Sequence, residues 1–240
     1  AAISLSTHRG KTRRGALHCQ GVDSLVWEFV VEERSCARST PAARESLPVT
    51  AGGTLLRLAY LTRGLWNLAL LGLALALKAL AGSSVPPWGY GLLGAVVLAS
   101  QGWRVWAAGF VGRPARGGEP AGEALVTAGP YACVRNPLYL GTVLGVLAFA
   151  GMSGLWYAVL AVAVVLGLVY AGAIAYEEAF LLARFGEEYR RYREAVPRLL
   201  PALRARGDRR GRFRLADGLA NEGGSLVFLP LFFTLFWFLG

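Results

Sequence analysis

The sequence predicts an all-α, polytopic membrane protein of four to five transmembrane helices, with a C-terminal amphipathic helix on the cytosolic face. Three observations carry that expectation. Of 240 residues, 55% are hydrophobic and only 17% charged, where soluble domains carry about 25%. The apolar residues gather into long runs, several of membrane length. The charges are segregated: the turns 82–89 and 151–154 hold no Lys or Arg, while 112–137 and 176–224 are rich in Arg.

Residues 1–50 contain HRGKTRRG, ERSCARST and PAARES, with no sustained period. Such a tract has too little apolar surface to offset the entropy of ordering it, so a disordered tail is expected. It also lacks the apolar middle of a signal peptide. Leu65 to Ala81 is the first strong apolar run, interrupted by Asn67 and Lys78 and preceded by Arg57 and Arg63. With Leu55–Thr62 on its entry side it is long enough to span, since flanking cations can snorkel. GSSVPPWG (Gly82–Gly89) is an uncharged turn, and Tyr90 to Val111 forms the second span, with Arg104 near its far end. After a Gly/Pro-rich loop, Gly112 to Gly129, Leu138–Ala150 and Leu155–Ala175 form a helical hairpin around GMSG. Ser225 to Leu239, with Pro230 inside, is marginal as a fifth span at about 15 residues and is alternatively re-entrant.

The positive-inside rule places both Arg-rich segments in the cytoplasm. The protein is then a multi-pass component of a bacterial inner membrane, with its candidate site facing the cytoplasm. The net charge of +10 need not mean nucleic acid: ten arginines between Arg190 and Arg214 lie beside apolar segments. There they set orientation and attract anionic membrane lipids. No nucleic-acid module accompanies the charge, so no nucleic-acid partner is expected. Cys19, Cys36 and Cys133 are scattered without disulfide or metal spacing, and His8 and His18 both lie in the tail. A histidine zinc site or a histidine base in the membrane body is therefore excluded, and no metal is expected.

Three segments could carry chemistry. GPYACVRNPLYLG (Gly129–Gly141) meets an apolar helix at Arg135, with Pro137 marking the bend. Alone it also reads as an Arg anchor beside interfacial Tyr131 and Tyr139. Glu177 and Glu178 end an apolar run, where acidic groups oppose the helix dipole unless a cation compensates. The alternative there is a solvated salt bridge to Arg184 or Arg135. Glu187 to Val196 forms a short helix with ion pairs on its wet side and Tyr189, Tyr192 and Val196 on its inner face. It lies on the membrane as an interfacial helix, or closes a ligand pocket.

In order and distance these pieces resemble the isoprenylcysteine carboxyl methyltransferase family and its phospholipid methyltransferase relatives. That family's pattern is Gly-x-Tyr, Arg-His-Pro-x-Tyr-x-Gly, a helical hairpin, Glu-Glu, then Phe-Gly-x-x-Tyr-x-x-Tyr and Val-Pro. Here the matching stretches are GPY, RNPLYLG, EE, FGEEYRRY and VPRLLP. The resemblance implies an integral-membrane methyltransferase domain over 51–240, with its catalytic core at about 112–203, using S-adenosylmethionine on a lipophilic or small acceptor. It implies Arg135 and Asn136 as catalytic residues. It implies Tyr131, Arg135, Pro137, Tyr139, Gly141, Glu177, Glu178, Tyr189 and Tyr192 as cofactor-binding residues.

The cofactor's chemistry suits these types. Arg135 could fork onto its carboxylate, Glu177 or Glu178 could accept from its ammonium or ribose hydroxyls, and the tyrosines could flank its adenine or sulfonium. No Gly-x-Gly-x-x-Gly follows a strand, so a soluble dinucleotide-type site is not available. One departure stands out: the family histidine is Asn136 here, which cannot titrate. A carboxyl or thiol acceptor is therefore favoured over a phospholipid amine, which must shed a proton. Two rival readings remain, an NADPH-dependent sterol-reductase-like enzyme and a non-catalytic protein that keeps the scaffold.

Overall fold

The computed structural model describes residues 51–112, 124–204 and 211–239. The expected disordered tail, 1–50, lies outside the described residues. Every regular element among those described is helical, as expected. Helix α1 spans Ala51–Ala81, α2 Pro87–Val111, α3 Pro137–Gly151, α4 Trp156–Phe185, α5 Glu187–Ala195, α6 Leu215–Asn221 and α7 Gly223–Phe238. A 3₁₀ turn covers Gly129–Ala132.

The boundaries follow from local chemistry. Helix α1 stops at Gly82, whose φ of 59° suits the left-handed turn. Pro87 and Pro137 occupy the first turns of α2 and α3, where no N–H is needed. Asn136, before Pro137, is kept out of the helix at φ −121°. One expectation is corrected here. Glu177 and Glu178 do not end α4, which runs two turns further, through the good helix formers Ala179, Leu181, Leu182, Ala183 and Arg184. It stops at Gly186, with φ 54°.

Helix α1 packs along α4, α2 along α3 and α6, and α3 against α4. The core between them is built from Leu70, Leu71, Ala74, Val97, Phe149, Leu166, Ile174 and Phe236. On α3, Gly141 and Gly145 stand four residues apart and let α2 approach. A Cβ on Gly141 would come within 2.5 Å of Arg104 Cγ, and one on Gly145 within 2.8 Å of Ser100 Oγ. Small residues at this spacing allow close helix contact where lipid offers no hydrophobic drive.

Gly53–Ala81 and Trp156–Phe185 are long and apolar enough to cross a membrane; α6 and α7, bent by 58° at their junction, make a third if counted as one broken span. Length and composition alone thus qualify two or three of the four to five expected spans among the described residues. Helix α2 has the length, but Gly, Ser100, Gln101 and Arg104 dilute its hydropathy. Helix α3, at 15 residues, reaches only about 22 Å of a core about 30 Å thick.

Candidate functional site

The 3₁₀ turn and the loop after it lie against the segment that follows α5. The Arg135 N–H donates to Pro197 O at 2.9 Å, and Ala202 N–H to Cys133 O at 2.9 Å. Asn136 Nδ2 donates to Arg198 O at 3.1 Å and the Tyr192 hydroxyl to Tyr131 O at 2.8 Å. Four hydrogen bonds thus join stretches about sixty residues apart in the chain. The sequence motifs before and after the hairpin become one surface.

Glu178 closes this junction. Its carboxylate is nearly buried and lies 3.3 Å from Arg135 Nη2. Arg198 approaches the other side, Nε to Oε1 at 3.3 Å and Nη2 to Oε2 at 2.5 Å. Hydrogen bonding to Glu178 accordingly raises the Arg198 pKa, despite the opposing effect of burial. Arg135 also donates from Nη1 to Arg193 O at 3.0 Å. Its fork is therefore committed to the protein, and its Nε alone is buried without a partner. Of the two partners weighed for the glutamate pair, Arg135 is engaged and Arg184 is replaced by Arg198.

Glu177 points elsewhere, because successive helical residues are turned by about 100°. It accepts a hydrogen bond from the Tyr139 hydroxyl and feels the charge of Arg63. The Tyr139 ring lies 5.1 Å from that of Tyr170, whose hydroxyl exchanges hydrogen bonds with Asn67 at 2.8 and 3.0 Å. Glu177 and Tyr139 thus face α1, while Glu178 faces the loop junction.

The remaining expected residues divide in the same way. Tyr189 and Tyr192 are buried with Leu125 and Val196 in a small core. They pack under the junction through the apolar inner face of α5. Burial, and then the neighbouring Glu178, raises the Tyr189 pKa; burial, and then Tyr189, raises that of Tyr192. Tyr131 is pushed well up by burial and then by Glu177. All three remain O–H donors at neutral pH. Pro137 is a buried helix start and Gly141 a helix contact.

Sequence reasoning missed a second polar cluster. Arg104 Nη2 pairs with Glu222 Oε2 at 2.7 Å, and Arg104 Nη1 donates to Thr142 Oγ1 at 2.8 Å. Gln101 Nε2 and Ser225 Oγ also reach Glu222, at 3.2 and 2.7 Å. The signal was an arginine inside an apolar run, but its partner Glu222 was hidden in the basic segment. Arg198 was legible only as the residue after Val-Pro. Among the described residues no three His, Cys, Asp or Glu converge where a metal could sit.

Comparison with known proteins agrees with the motif reading. Residues 91–188 match the phospholipid methyltransferase family. The chain is 37% identical over 79 residues to protein-S-isoprenylcysteine O-methyltransferase of Schizosaccharomyces pombe, covering 33% of this chain and 34% of that protein. It is 39% identical over 93 residues to methanethiol S-methyltransferase 2 of Bradyrhizobium diazoefficiens, covering 38% and 34%. It is 32% identical over 143 residues to the cobalt-zinc-cadmium resistance protein CzcN of Cupriavidus metallidurans, covering 59% and 62%. The chain therefore spans less than two thirds of each of these relatives. No solved structure matches. The chain thus resembles the isoprenylcysteine and phospholipid methyltransferases, and the segment 91–188 that matches the latter family holds α3, α4 and the Glu177–Glu178 pair.

Proposed function

We propose that this chain is an integral-membrane, S-adenosylmethionine-dependent methyltransferase acting on a lipophilic or small acceptor through a carboxyl or thiol group. In this reading it crosses a bacterial inner membrane four to five times and its site opens to the cytoplasm. The observation that carries the reading is the junction itself. The loop of Arg135 and the segment after α5 are held together around Glu178, and Glu177 and Tyr139 lie beside them with capacity to spare.

The donor set suits the cofactor. Glu177 takes one described hydrogen bond, from Tyr139, and an ionised carboxylate accepts about four. It would take the ammonium or ribose hydroxyls. The buried, unpartnered Arg135 Nε is a donor for the carboxylate, and Tyr131 and Tyr139 offer aromatic faces. Bound there, S-adenosylmethionine supplies an electrophilic methyl group on a sulfonium. Glu178, Arg198, Tyr189 and Tyr192 keep these groups in position. Asn136 holds Arg198 O through its amide and moves no proton. A carboxylate or thiolate acceptor requires none to be removed, so the chain's task is to orient and desolvate the reactants.

The test is binding followed by product identification. Purified protein in detergent should bind labelled S-adenosylmethionine and not NADPH. Membrane extracts incubated with it and methyl-labelled cofactor should yield labelled methyl esters or thioethers by mass spectrometry. Binding of NADPH alone would overturn the reading in favour of a reductase. Label in phospholipid amines alone would overturn the acceptor class.

A further inference from the structure

Helix α1 lies outside the segment 91–188 that matches the methyltransferase family, yet it presents a polar stripe to the candidate site. Tyr60, Arg63 and Asn67 fall at i, i+3 and i+7, on one helical face. Leu70, Leu71 and Ala74 continue that face as buried core. Against α4, the Tyr60 ring lies 5.3 Å from that of Tyr176, and Asn67 bonds the Tyr170 hydroxyl.

Arg63 is the charged member of this stripe. It donates from Nη1 to the Tyr60 carbonyl, and its Cζ lies 4.0 Å over the Tyr60 ring. A guanidinium has five N–H donors, and the others find no acceptor among the described residues. Its nitrogens are not among the buried, unpartnered side-chain atoms of the described residues. Tyr139, Tyr60, Glu177 and Tyr170 surround it within electrostatic range, without an ion pair to Glu177. Depth agrees as well. At 1.5 Å per residue Arg63 lies roughly 27 Å from the Ala81 end of α1, and Glu177 roughly 31 Å from the Trp156 end of α4. Both therefore sit at one edge of a hydrocarbon core about 30 Å thick.

A cation at that level with open donors and no ion pair among the described residues is costly unless something anionic meets it. Trp66, its neighbour one turn on at i+3, is exposed and apolar. We propose that Arg63 is the specificity-determining residue for the acceptor side of the site, receiving the anionic head of an acceptor whose chain stays among the lipids. This rests on the methyl-transfer reading above. Glu177 then serves the cationic cofactor on one side and Arg63 the anionic acceptor on the other.

The experiment uses the full chain in detergent without cofactor, with dodecanoate and its neutral amide, dodecanamide, as binding probes in calorimetry. Wild-type protein should bind dodecanoate at least about tenfold more tightly, as a charge-assisted pair requires, and Arg63→Gln and Arg63→Ala should bring the two within about twofold. Arg63→Lys, which keeps the charge, should retain a preference. Equal binding by wild type, or a preference that survives both neutral variants, would overturn the assignment and leave Arg63 a membrane anchor. Affinity for S-adenosylmethionine, measured on the same samples, separates the two readings. It should be unchanged in Arg63→Gln. A wild type that discriminates the probes but binds no cofactor would sink the methyltransferase reading and keep the anion site.

Discussion

Glu177 and Glu178 are adjacent and chemically identical, and their substitution should nevertheless have opposite consequences. Glu178→Gln replaces a nearly buried carboxylate held between two guanidiniums, Arg135 with a side chain 10% exposed and Arg198 at 49%. The amide can accept from one guanidinium but turns its own N–H donors toward the other. Arg135 then loses its counter-charge inside the protein. Leaving a buried charge uncompensated costs about 3–5 kcal/mol, and the hydrogen bonds Gln retains reduce this to about 2–4 kcal/mol. For a domain of this size each kcal/mol lowers the midpoint by roughly 2–4 °C, so a fall of roughly 5–15 °C is expected. Seven tryptophans allow the melt to be followed by intrinsic fluorescence in detergent. Glu177→Gln keeps an acceptor for Tyr139 and breaks no ion pair, so its midpoint should move by less than about 3 °C. Its affinity for S-adenosylmethionine should fall at least about tenfold, as loss of a charged hydrogen-bond acceptor implies. A Glu178→Gln protein that melts with wild type would refute the division of roles, as would a Glu177→Gln protein that binds the cofactor normally.

Two further outcomes follow from the same geometry. The raised pKa values of Tyr189 and Tyr192 mean that the folded state holds their protons when the unfolded chain has lost them. Stability should therefore be steady below the ordinary tyrosine pKa of about 10 and decline above it; thermal melts from pH 7 to 11 test this, and Tyr192→Phe should flatten the decline. At the α2–α3 contact, Gly141→Ala drives a methyl into Arg104 and Ser100 O and should cost about 1–3 kcal/mol. Gly72→Ala, with nothing within 4 Å of the added atom, should be neutral or better by the same melt.

The helices were legible because their signals are local. Apolar runs, prolines at first turns and glycines at ends located α1 to α4 to within a few residues. The true end of α4 was not, because hydropathy drops at Glu177 while helix propensity continues to Phe185. The site was legible as far as its motifs went. Tyr131, Arg135, Asn136, Glu178 and Tyr192 do meet. What the sequence hid was direction: of two neighbouring glutamates one faces α1 and the other the loop junction, and Tyr189 and Tyr192 pack into a small core. It also hid partners. Arg198 sits among ten arginines that look alike and Glu222 lies just beyond them, and only folding singles them out.

The corner at Glu222 has a mechanical consequence. Helices α6 and α7 meet there at 58°, and the carboxylate at the bend is gripped by Arg104 and Gln101 from α2 and by Ser225 from α7. A straight rod in a bilayer answers a change in thickness by tilting along its whole length. An elbow pinned at its apex can answer by changing its angle instead. Here the far end is fastened too, since Phe236 is buried in the core and its carbonyl accepts from the Tyr90 hydroxyl of α2, so the angle is held and the bilayer must adapt to the elbow while Glu177, Glu178 and Arg135 keep their spacing.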